Sequence, residues 1–250
     1  MKNGLIIGKG WLGERLEKRL SSKYNFTTTK RVSDESNCLT IDFDKDEIPN
    51  LNSAAFDFIV ITIPFGKRAS VEELNFRFLN LIRFIGDYNQ QIILISSTGI
   101  YPDIPQNINE KTFEQNQLNQ PYQIIESKIK DAFPQLIILR LGGIMGDDRY
   151  LSKYLTLDKE DLDFAVNHIH FEDICAIIEK LIESKISSEI FNLVAPNHPT
   201  KEEVLHYQIN QSMVQSNKKR GKTISSEKII NELNYQFIFE NPVFFKLDTK

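Results

Sequence analysis

Three glycines near the start of the chain have the spacing of a phosphate-binding turn. Gly8, Gly10 and Gly13 follow an apolar run and fit the pattern G-x-G-x-x-G between a short strand and a helix. In such a turn the first glycine makes the bend, the second lets the backbone approach a pyrophosphate, and the third lets the helix pack on the strand. The helix amides would hold the phosphates. We therefore expect a dinucleotide cofactor to bind at Gly8, Gly10, Trp11, Leu12 and Gly13.

Two cations follow the next predicted strand and bear on which dinucleotide binds. A site for NAD usually has Asp or Glu at this point to bond the ribose hydroxyls, whereas this chain has Lys30 and Arg31. Both would attract the extra 2′-phosphate of NADP, and Arg31 could bind it with two hydrogen bonds. The alternative is that they are solvated cations on a surface turn. The sequence favours NADP, with NAD as the alternative.

Composition excludes several other classes of function. The 250 residues are 41% hydrophobic and 26% charged with a formal net charge of -4, which is typical of a globular protein with a sizeable core. This mild acidity does not favour nucleic-acid binding, and no apolar run has the length of a membrane span. Cys38 and Cys175 have no partners at disulfide-framework or zinc spacing. We expect a cytoplasmic monomer or homodimer with a small-molecule substrate and no metal, nucleic acid or membrane partner.

Apolar runs alternate with helical patterns along most of the chain, which predicts an α/β fold with a doubly wound parallel sheet of the Rossmann type. A dinucleotide-binding domain is expected over residues 1–145 and a small C-terminal α/β substrate lobe over 146–250, packed as one compact unit. The predicted strands cover residues 4–8, 24–29, 38–41, 57–63, 91–97, 136–141 and 190–194. The predicted helices cover 11–21, 71–85, 121–132, 171–184 and 225–233, and a further helix is capped by Thr200 with Glu203.

Four ordered motifs carry a family resemblance that covers nearly the whole chain. Besides the glycine turn, they are Ser96-Ser97-Thr98-Gly99-Ile100-Tyr101, Leu139-Arg140-Leu141-Gly142-Gly143-Ile144-Met145-Gly146 and Ile169-His170-Phe171-Glu172-Asp173-Ile174. With these motifs the chain resembles an atypical extended short-chain dehydrogenase/reductase of the NAD(P)-dependent epimerase/dehydratase type. The resemblance implies that Asp42 contacts the adenine and that Pro64-Phe65-Gly66 lines the adenosine side. Asp42 could equally be a plain loop carboxylate.

The resemblance also implies a catalytic pair. Typical members use a Ser or Thr after the fifth strand and a Tyr about 25 residues later, with a Lys four residues beyond the Tyr. Ser97 and Tyr122 have this spacing, but Glu126 stands where the lysine would be. A carboxylate on the same helical face would disfavour the phenolate that the usual mechanism needs. The base is therefore Tyr122 unassisted, Tyr101 or a residue of the C-terminal lobe, and we expect weak or absent turnover with generic sugar nucleotides.

Other polar residues have mostly structural interpretations. Thr98 and Arg149 are candidate substrate contacts, Arg149 because in the family the segment after Gly146-Asp147-Asp148 approaches the substrate. His168 and His170 would share a strand face, but packing or hydrogen bonding is favoured over metal binding because no third ligand accompanies them. Asp173 is expected to complement the dipole at the start of its helix. Arg140 is expected to be a structural ion-pair partner, and Trp11 either flanks the pyrophosphate or packs on the sheet.

Three functions are compatible with these residues. The first is an NADP-dependent epimerase or reductase acting on a small polar substrate of the sugar-nucleotide kind. The second is an NADP-binding sensor or regulatory protein that has lost redox chemistry. The third is a structural role without a nucleotide, which the intact glycine turn disfavours.

Overall fold

A computed structural model describes residues 1–65 and 69–245 of the chain. In chain order its strands are β1 (Lys2–Ile7), β2 (Tyr24–Lys30), β3 (Cys38–Thr40), β4 (Phe58–Ile61), β5 (Gln91–Ser97), β6 (Asn107–Ile108), β7 (Ile137–Leu141), β8 (Gly143–Met145), β9 (His168–His170), β10 (Ile190–Leu193) and β11 (Thr223–Ile224). Its helices are α1 (Trp11–Leu20), α2 (Val71–Ile85), α3 (Tyr122–Ala132), α4 (Phe171–Glu183), α5 (Lys201–Asn210) and α6 (Glu227–Leu233).

A parallel sheet of seven strands forms the centre of the molecule, in the order β3-β2-β1-β4-β5-β7-β10. The strand order reverses direction at β1, with β2 on one side and β4 on the other. In open sheets of this kind ligands bind outside the carboxyl ends of the strands at such a switch point. The predicted Rossmann-type fold is confirmed, and the glycine turn lies at the switch point.

Both faces of the sheet are covered, which explains why the strands are continuous apolar runs. Ile6 and its neighbours on one face pack against α1, α4 and α6, whereas Leu5 and Ile7 on the other face pack against α2 and α3. Helix α2 begins with a capping box in which Ser70 and Glu73 exchange hydrogen bonds. Thr200 and Glu203 form the predicted box at the start of α5.

The sheet reaches beyond the predicted dinucleotide-binding segment. Strand β10 pairs with β7 from Ile190 to Leu193, so a strand from residues 146–250 completes the central sheet. Shorter pairs, β8 with β9 and β6 with β11, join the remaining loops. The division at residue 145 into two lobes stays a prediction. Within the described ranges, no helix is long and apolar enough to cross a membrane.

Candidate functional site

The glycine turn is fixed by the strands on both sides of β1. Gly8 has a φ of +103°, a left-handed conformation that glycine adopts without a steric penalty. From β2, Thr29 accepts hydrogen bonds from the amides of Gly8 (3.0 Å, to Oγ1) and Lys9 (2.7 Å, to the carbonyl). After β4, the Thr62 hydroxyl donates to the carbonyl of Gly8 at 2.6 Å. The shape of the turn is therefore set by hydrogen bonds from the neighbouring strands.

Gly10 and Gly13 lack side chains for different reasons. A Cβ on Gly13 would lie 2.7 Å from the carbonyl oxygen of Gly8, so only glycine lets α1 pack this close to the turn. A Cβ on Gly10 would meet only the Gly8 carbonyl, at 3.9 Å, and would otherwise extend into open space. That open space at the N-terminus of α1 is the approach that a pyrophosphate needs. The turn therefore fits the phosphates of a dinucleotide.

A cavity of about 430 Å³ lies beside the turn and joins six of the predicted cofactor residues. It is bounded by the ends of β1 to β4 and by α2. Its lining residues are Gly8, Lys9, Gly10, Thr29, Lys30, Arg31, Val32, Ile41, Asp42, Phe43, Asp44, Thr62, Ile63, Pro64 and Arg77. Gly66, which the resemblance adds to this wall, lies outside the described residues.

The cavity has two cations that no carboxylate neutralises. Within residues 1–65 and 69–245, Lys30 and Arg31 have no ion-pair partner. Lys9, in contrast, is 2.8 Å from Glu17 and also pairs with Glu35. Burial alone would lower the pKa of Lys9, but these two carboxylates raise it above its ordinary value. Positive charge available to a ligand is therefore concentrated at the end of β2.

The opposite wall of the cavity contains an ion pair that sequence reasoning missed. Arg77 Nε and Nη2 donate to the two carboxylate oxygens of Asp44 at 2.8 and 2.9 Å. The two residues are 33 positions apart, on a loop and on the face of an amphipathic helix, so no spacing rule relates them. The position of Lys9 between two glycines is evident from the sequence, but its pairing with Glu17 and Glu35 is not. Both pairings depend on how α1 and α2 pack on the sheet.

Ser97 and Tyr122 lie near each other where β5 ends and α3 begins. Both hydroxyl oxygens lie 3.2 Å from the point where a Cβ on Gly99 would be, so the absent side chain gives them room. Ser97 Oγ accepts a hydrogen bond from the Gly99 amide at 3.0 Å. Asn119 donates to the carbonyls of Gly99 and Tyr101, both at 3.1 Å, which ties the start of α3 to the end of β5. Both hydroxyls thus border the same space beside Gly99 at the carboxyl end of β5.

The Glu126 carboxylate is not a free negative charge beside the phenol, which corrects the expectation from its position. It forms a buried ion pair with Arg140 of β7 (2.7 Å) and accepts a hydrogen bond from Ser96 (2.6 Å). Burial would by itself lower the pKa of Arg140, but the hydrogen bonds and charge of Glu126 raise it. The prediction that Arg140 is a structural ion-pair partner is confirmed. The position of the family lysine is therefore occupied by a carboxylate whose charge is balanced by Arg140.

Tyr101 cannot serve as the alternative base. It is only 1% exposed, and its hydroxyl donates to Asn192 Oδ1 (2.7 Å) and accepts from Arg140 Nη1 (2.9 Å). Burial raises the pKa of Tyr101. Thr98 is also buried, and its hydroxyl donates to the carbonyl of Leu141 at 3.3 Å. Because the hydroxyls of Tyr101 and Thr98 are buried and hydrogen-bonded, those of Ser97 and Tyr122 are the remaining candidates for a catalytic role.

Trp11 joins the first turn of α1 to the loop after β8. Two guanidinium groups lie over its indole, with Arg15 Cζ at 3.7 Å and Arg149 Cζ at 4.2 Å from a ring centroid. Its Nε1 donates to Asp148 at 2.6 Å, and this hydrogen bond lowers the pKa of Asp148. Arg15 pairs with Asp147 and Asp148. Arg149 has no carboxylate partner among the described residues, so its charge is available to an anion.

The two histidines have structural roles. His170 is 4% exposed, stacks on Phe239 at 3.7 Å and accepts from the Glu172 amide at the start of α4. Burial lowers the pKa of both His168 and His170 to about 4. Among the described residues, no cluster of His, Cys, Asp and Glu could hold a metal ion. The preference for packing over metal binding agrees with these contacts.

Asp173 does more than complement the dipole of α4. It is completely buried and accepts hydrogen bonds from the Tyr235 hydroxyl (2.7 Å) and from the amides of Ile238 (2.7 Å) and Phe239 (3.1 Å). Burial raises the pKa of Asp173, against the effect of these donors. The carboxylate therefore fastens the C-terminal segment to α4, a long-range role that its sequence position does not indicate.

Seven parallel strands with a glycine turn at the switch point give the chain the fold of the extended short-chain dehydrogenase/reductases and of NAD-dependent epimerase/dehydratases. Among curated proteins it is similar to protein YeeZ of Escherichia coli K12, with 26% identity over 281 aligned positions that span 99% of this chain and 100% of YeeZ. No family model matches the chain.

Two solved structures illustrate the similarity of fold. Vestitone reductase from alfalfa superposes with a TM-score of 0.73 at 15% identity, covering 98% of this chain and 96% of the reductase. The human epimerase family protein SDR39U1, solved with NADPH, superposes with a TM-score of 0.69 at 13% identity, covering 97% of each chain. At these identities the likeness concerns the fold alone.

Proposed function

We propose that the chain binds NADP beside the glycine turn and acts as an epimerase or reductase on a small polar substrate, with sugar nucleotides the first class to test. The observation that carries this proposal is a cavity that joins Gly8 and Gly10 to Lys30 and Arg31. The two cations at the end of β2, which have no ion-pair partner within the described ranges, favour the doubly charged 2′-phosphate that distinguishes NADP from NAD. The NADPH in the SDR39U1 structure is consistent with this choice.

In this proposal the reactive groups are on β5 and α3. When the dinucleotide is bound, its nicotinamide supplies the hydride donor or acceptor. The Tyr122 hydroxyl gives a proton to the substrate oxygen in reduction and takes it back in oxidation, and Ser97 Oγ orients that oxygen with a hydrogen bond. Arg149, whose guanidinium stacks on Trp11 and has no carboxylate partner among the described residues, is available to a substrate phosphate. Thr98 would contribute through its backbone, since its hydroxyl is engaged.

Calorimetry with the two dinucleotides tests the cofactor. We expect NADPH to bind at least about tenfold more tightly than NADH, because Lys30 and Arg31 would pair with the 2′-phosphate that only NADPH carries. Arg31→Ala should reduce this preference, whereas Lys18→Ala, which removes an exposed cation from α1, should leave it unchanged. Equal affinities for NADPH and NADH, or no binding of either, would contradict the proposal.

A second candidate function is an NADP-binding sensor or regulator without redox chemistry. The favouring observation is Glu126, which fills the position of the family lysine with an acid that is paired to Arg140. Tyr122 then has no cation from that position to stabilise its phenolate.

Turnover separates the two candidates. With NADPH or NADP and a panel of sugar nucleotides we expect slow conversion in the wild type and none in Tyr122→Phe, because the phenol that moves the proton has been removed. The assay follows nicotinamide absorbance and product chromatography, and NADPH binding by Tyr122→Phe is the control for an intact fold. Fast conversion that Tyr122→Phe abolishes would show that no lysine is needed and would exclude the sensor. Equal conversion by both proteins would remove Tyr122 from the mechanism.

A further inference from the structure

We propose that Trp11 is a positioning residue for substrate recognition, because its indole holds the guanidinium of Arg149 ready to bind a phosphate group of the substrate. This inference rests on the proposed function, since it presumes a phosphorylated substrate beside a bound dinucleotide. It gives a role to a contact between the first residue of α1 and the loop after β8, where Arg149 Cζ lies 4.2 Å from an indole ring centroid.

Two arginines contact the same indole, but only one of them has its donors occupied. Arg15 Cζ is 3.7 Å from a ring centroid. Its Nε donates to Asp147 at 3.0 Å, its Nη2 to Asp148 at 3.1 Å and its Nη1 to the carbonyl of Trp11 at 3.0 Å. The guanidinium of Arg149 has no hydrogen bond or ion pair to any of the described residues. Its N–H donors are therefore available to a ligand, whereas those of Arg15 are engaged.

Contact with an aromatic ring suits an arginine that has to bind a phosphate. A guanidinium is planar, and its five N–H donors lie in that plane. When its face rests on a ring, the donors stay open at the edge, where two of them can bind two phosphate oxygens. The ring also restricts a long side chain before the ligand arrives, so less entropy is lost on binding. Trp11 therefore prepares Arg149 for an anion of this geometry.

A tight hairpin presents Arg149 to the indole. Gly146 and Arg149 exchange backbone hydrogen bonds of 2.7 and 3.0 Å across the turn that Asp147 and Asp148 form. Gly146 and Asp147 have φ values of +107° and +54°, which close the chain over these two residues. The indole Nε1 donates to Asp148 at 2.6 Å. Trp11 thus holds the turn with its nitrogen and the guanidinium of Arg149 with its ring.

The position of the hairpin indicates which phosphate Arg149 would bind. The hairpin follows β7 and β8, and β7 pairs with β5 as far as Ser97. Neither residue of the Trp11–Arg149 contact lines the cavity that contains Lys30, so the 2′-phosphate of NADP is not its ligand. The helix amides and the open space at Gly10 already serve the pyrophosphate of the dinucleotide. We therefore assign Arg149 to a phosphate of the substrate.

The test uses inorganic pyrophosphate as the probe, titrated by calorimetry into the full chain saturated with NADP. Arg149→Met should weaken pyrophosphate binding at least about tenfold. Arg149→Lys should recover little of this loss, because an ammonium group lacks the planar fork. Trp11→Leu should weaken binding about fivefold, whereas Trp11→Phe, which keeps an aromatic ring, should stay within about twofold of the wild type. The matched control is Arg19→Met, which removes an exposed arginine from α1 and should change nothing.

Fluorescence gives a second measurement that a purely structural role would not affect. Trp11 is the one tryptophan in the sequence, so its emission reports on this contact directly. Pyrophosphate should change the emission of the NADP-saturated wild type with the same Kd that calorimetry gives. It should leave the emission of Arg149→Met unchanged, because the guanidinium that joins the anion to the indole has been removed.

The outcomes separate this inference from the proposed function, because NADP binding is measured separately for each variant and thermal melts check its fold. If NADP binds and pyrophosphate does not, or if Arg149→Met binds pyrophosphate like the wild type, the inference fails and the cofactor assignment stands. Full affinity in Arg149→Lys or Trp11→Leu would show that the indole does not position Arg149. If Arg149→Met weakens NADP as much as pyrophosphate, its ligand is the dinucleotide and the substrate assignment is wrong. Absence of NADP binding overturns the proposed function and this inference with it.

Discussion

Individual glycines in the turn have different surroundings. Gly10 borders open space, whereas Gly13 is pressed against the carbonyl of Gly8. The same substitution at the two positions should therefore affect different properties. Both residues lie in the same short segment, Gly10 at the N-cap of α1 and Gly13 in its first turn, and they differ in what surrounds the absent Cβ.

We expect Gly10→Ala to keep the thermal stability of the wild type and to weaken NADPH binding at least about tenfold, because the new methyl group occupies the approach of the pyrophosphate. Gly13→Ala should instead destabilise the protein by about 1–3 kcal/mol, since its Cβ would overlap the Gly8 carbonyl. Thermal melts and NADPH calorimetry on both variants check this. Unchanged NADPH affinity in Gly10→Ala would show that no phosphate lies over that residue.

At the scale of elements, the central strands and helices follow directly from the sequence pattern. Helix α2 was predicted over 71–85 and is Val71–Ile85, and β5 was predicted over 91–97 and is Gln91–Ser97. Continuous apolar runs and i, i+4 periodicity identify such elements because both faces of the sheet are buried. The fourth strand is shorter than the predicted 57–63. It ends at Ile61, and the Thr62 side chain turns to hydrogen-bond Gly8.

Contacts between elements could not be predicted in the same way. The sequence correctly places Tyr122 and Glu126 four residues, or about one turn, apart on α3. It does not indicate that Glu126 contacts Arg140 and Ser96 in the core. The Asp44–Arg77 and Trp11–Arg149 contacts likewise join segments that only the packed sheet brings together. Pairing across long sequence separations depends on strand order and helix packing, which periodicity does not specify. The residues of the cavity wall were thus partly predictable, and its ion pairs were not.

Across the whole molecule, the C-terminal segment closes over the junction of β9 and α4. Asp173 holds it through Tyr235, Ile238 and Phe239, and the ring of Phe239 covers His170. On the other side of this junction, Phe171 contacts Trp11 edge-on at 5.7 Å. One aromatic chain therefore runs from the glycine turn to the last described residues. The stability of this arrangement depends on His170 remaining uncharged.

That dependence predicts acid sensitivity with a definite sign. The pKa of His170 is about 4 in the folded protein, because burial outweighs the opposing charge of Asp147, against about 6.5 in the unfolded chain. Between these values the unfolded chain binds the proton and the folded one does not. The contribution of neutral His170 is therefore complete above pH 6.5 and is lost as the pH falls toward 4. Each pH unit in this window should cost up to about 1.4 kcal/mol.

His170→Asn isolates this effect, because asparagine can still accept the Glu172 amide at the start of α4 but does not titrate. In urea unfolding at several pH values, we expect the variant to be less stable than the wild type at pH 7.5, since the stacking on Phe239 is lost. Its free energy of unfolding should then fall less steeply between pH 6.5 and 4. His168, whose pKa is also lowered to about 4, would retain part of the slope. Equal slopes for wild type and variant would mean that protonation of His170 does not open the β9–α4 junction, and acid sensitivity would then have to come from other groups.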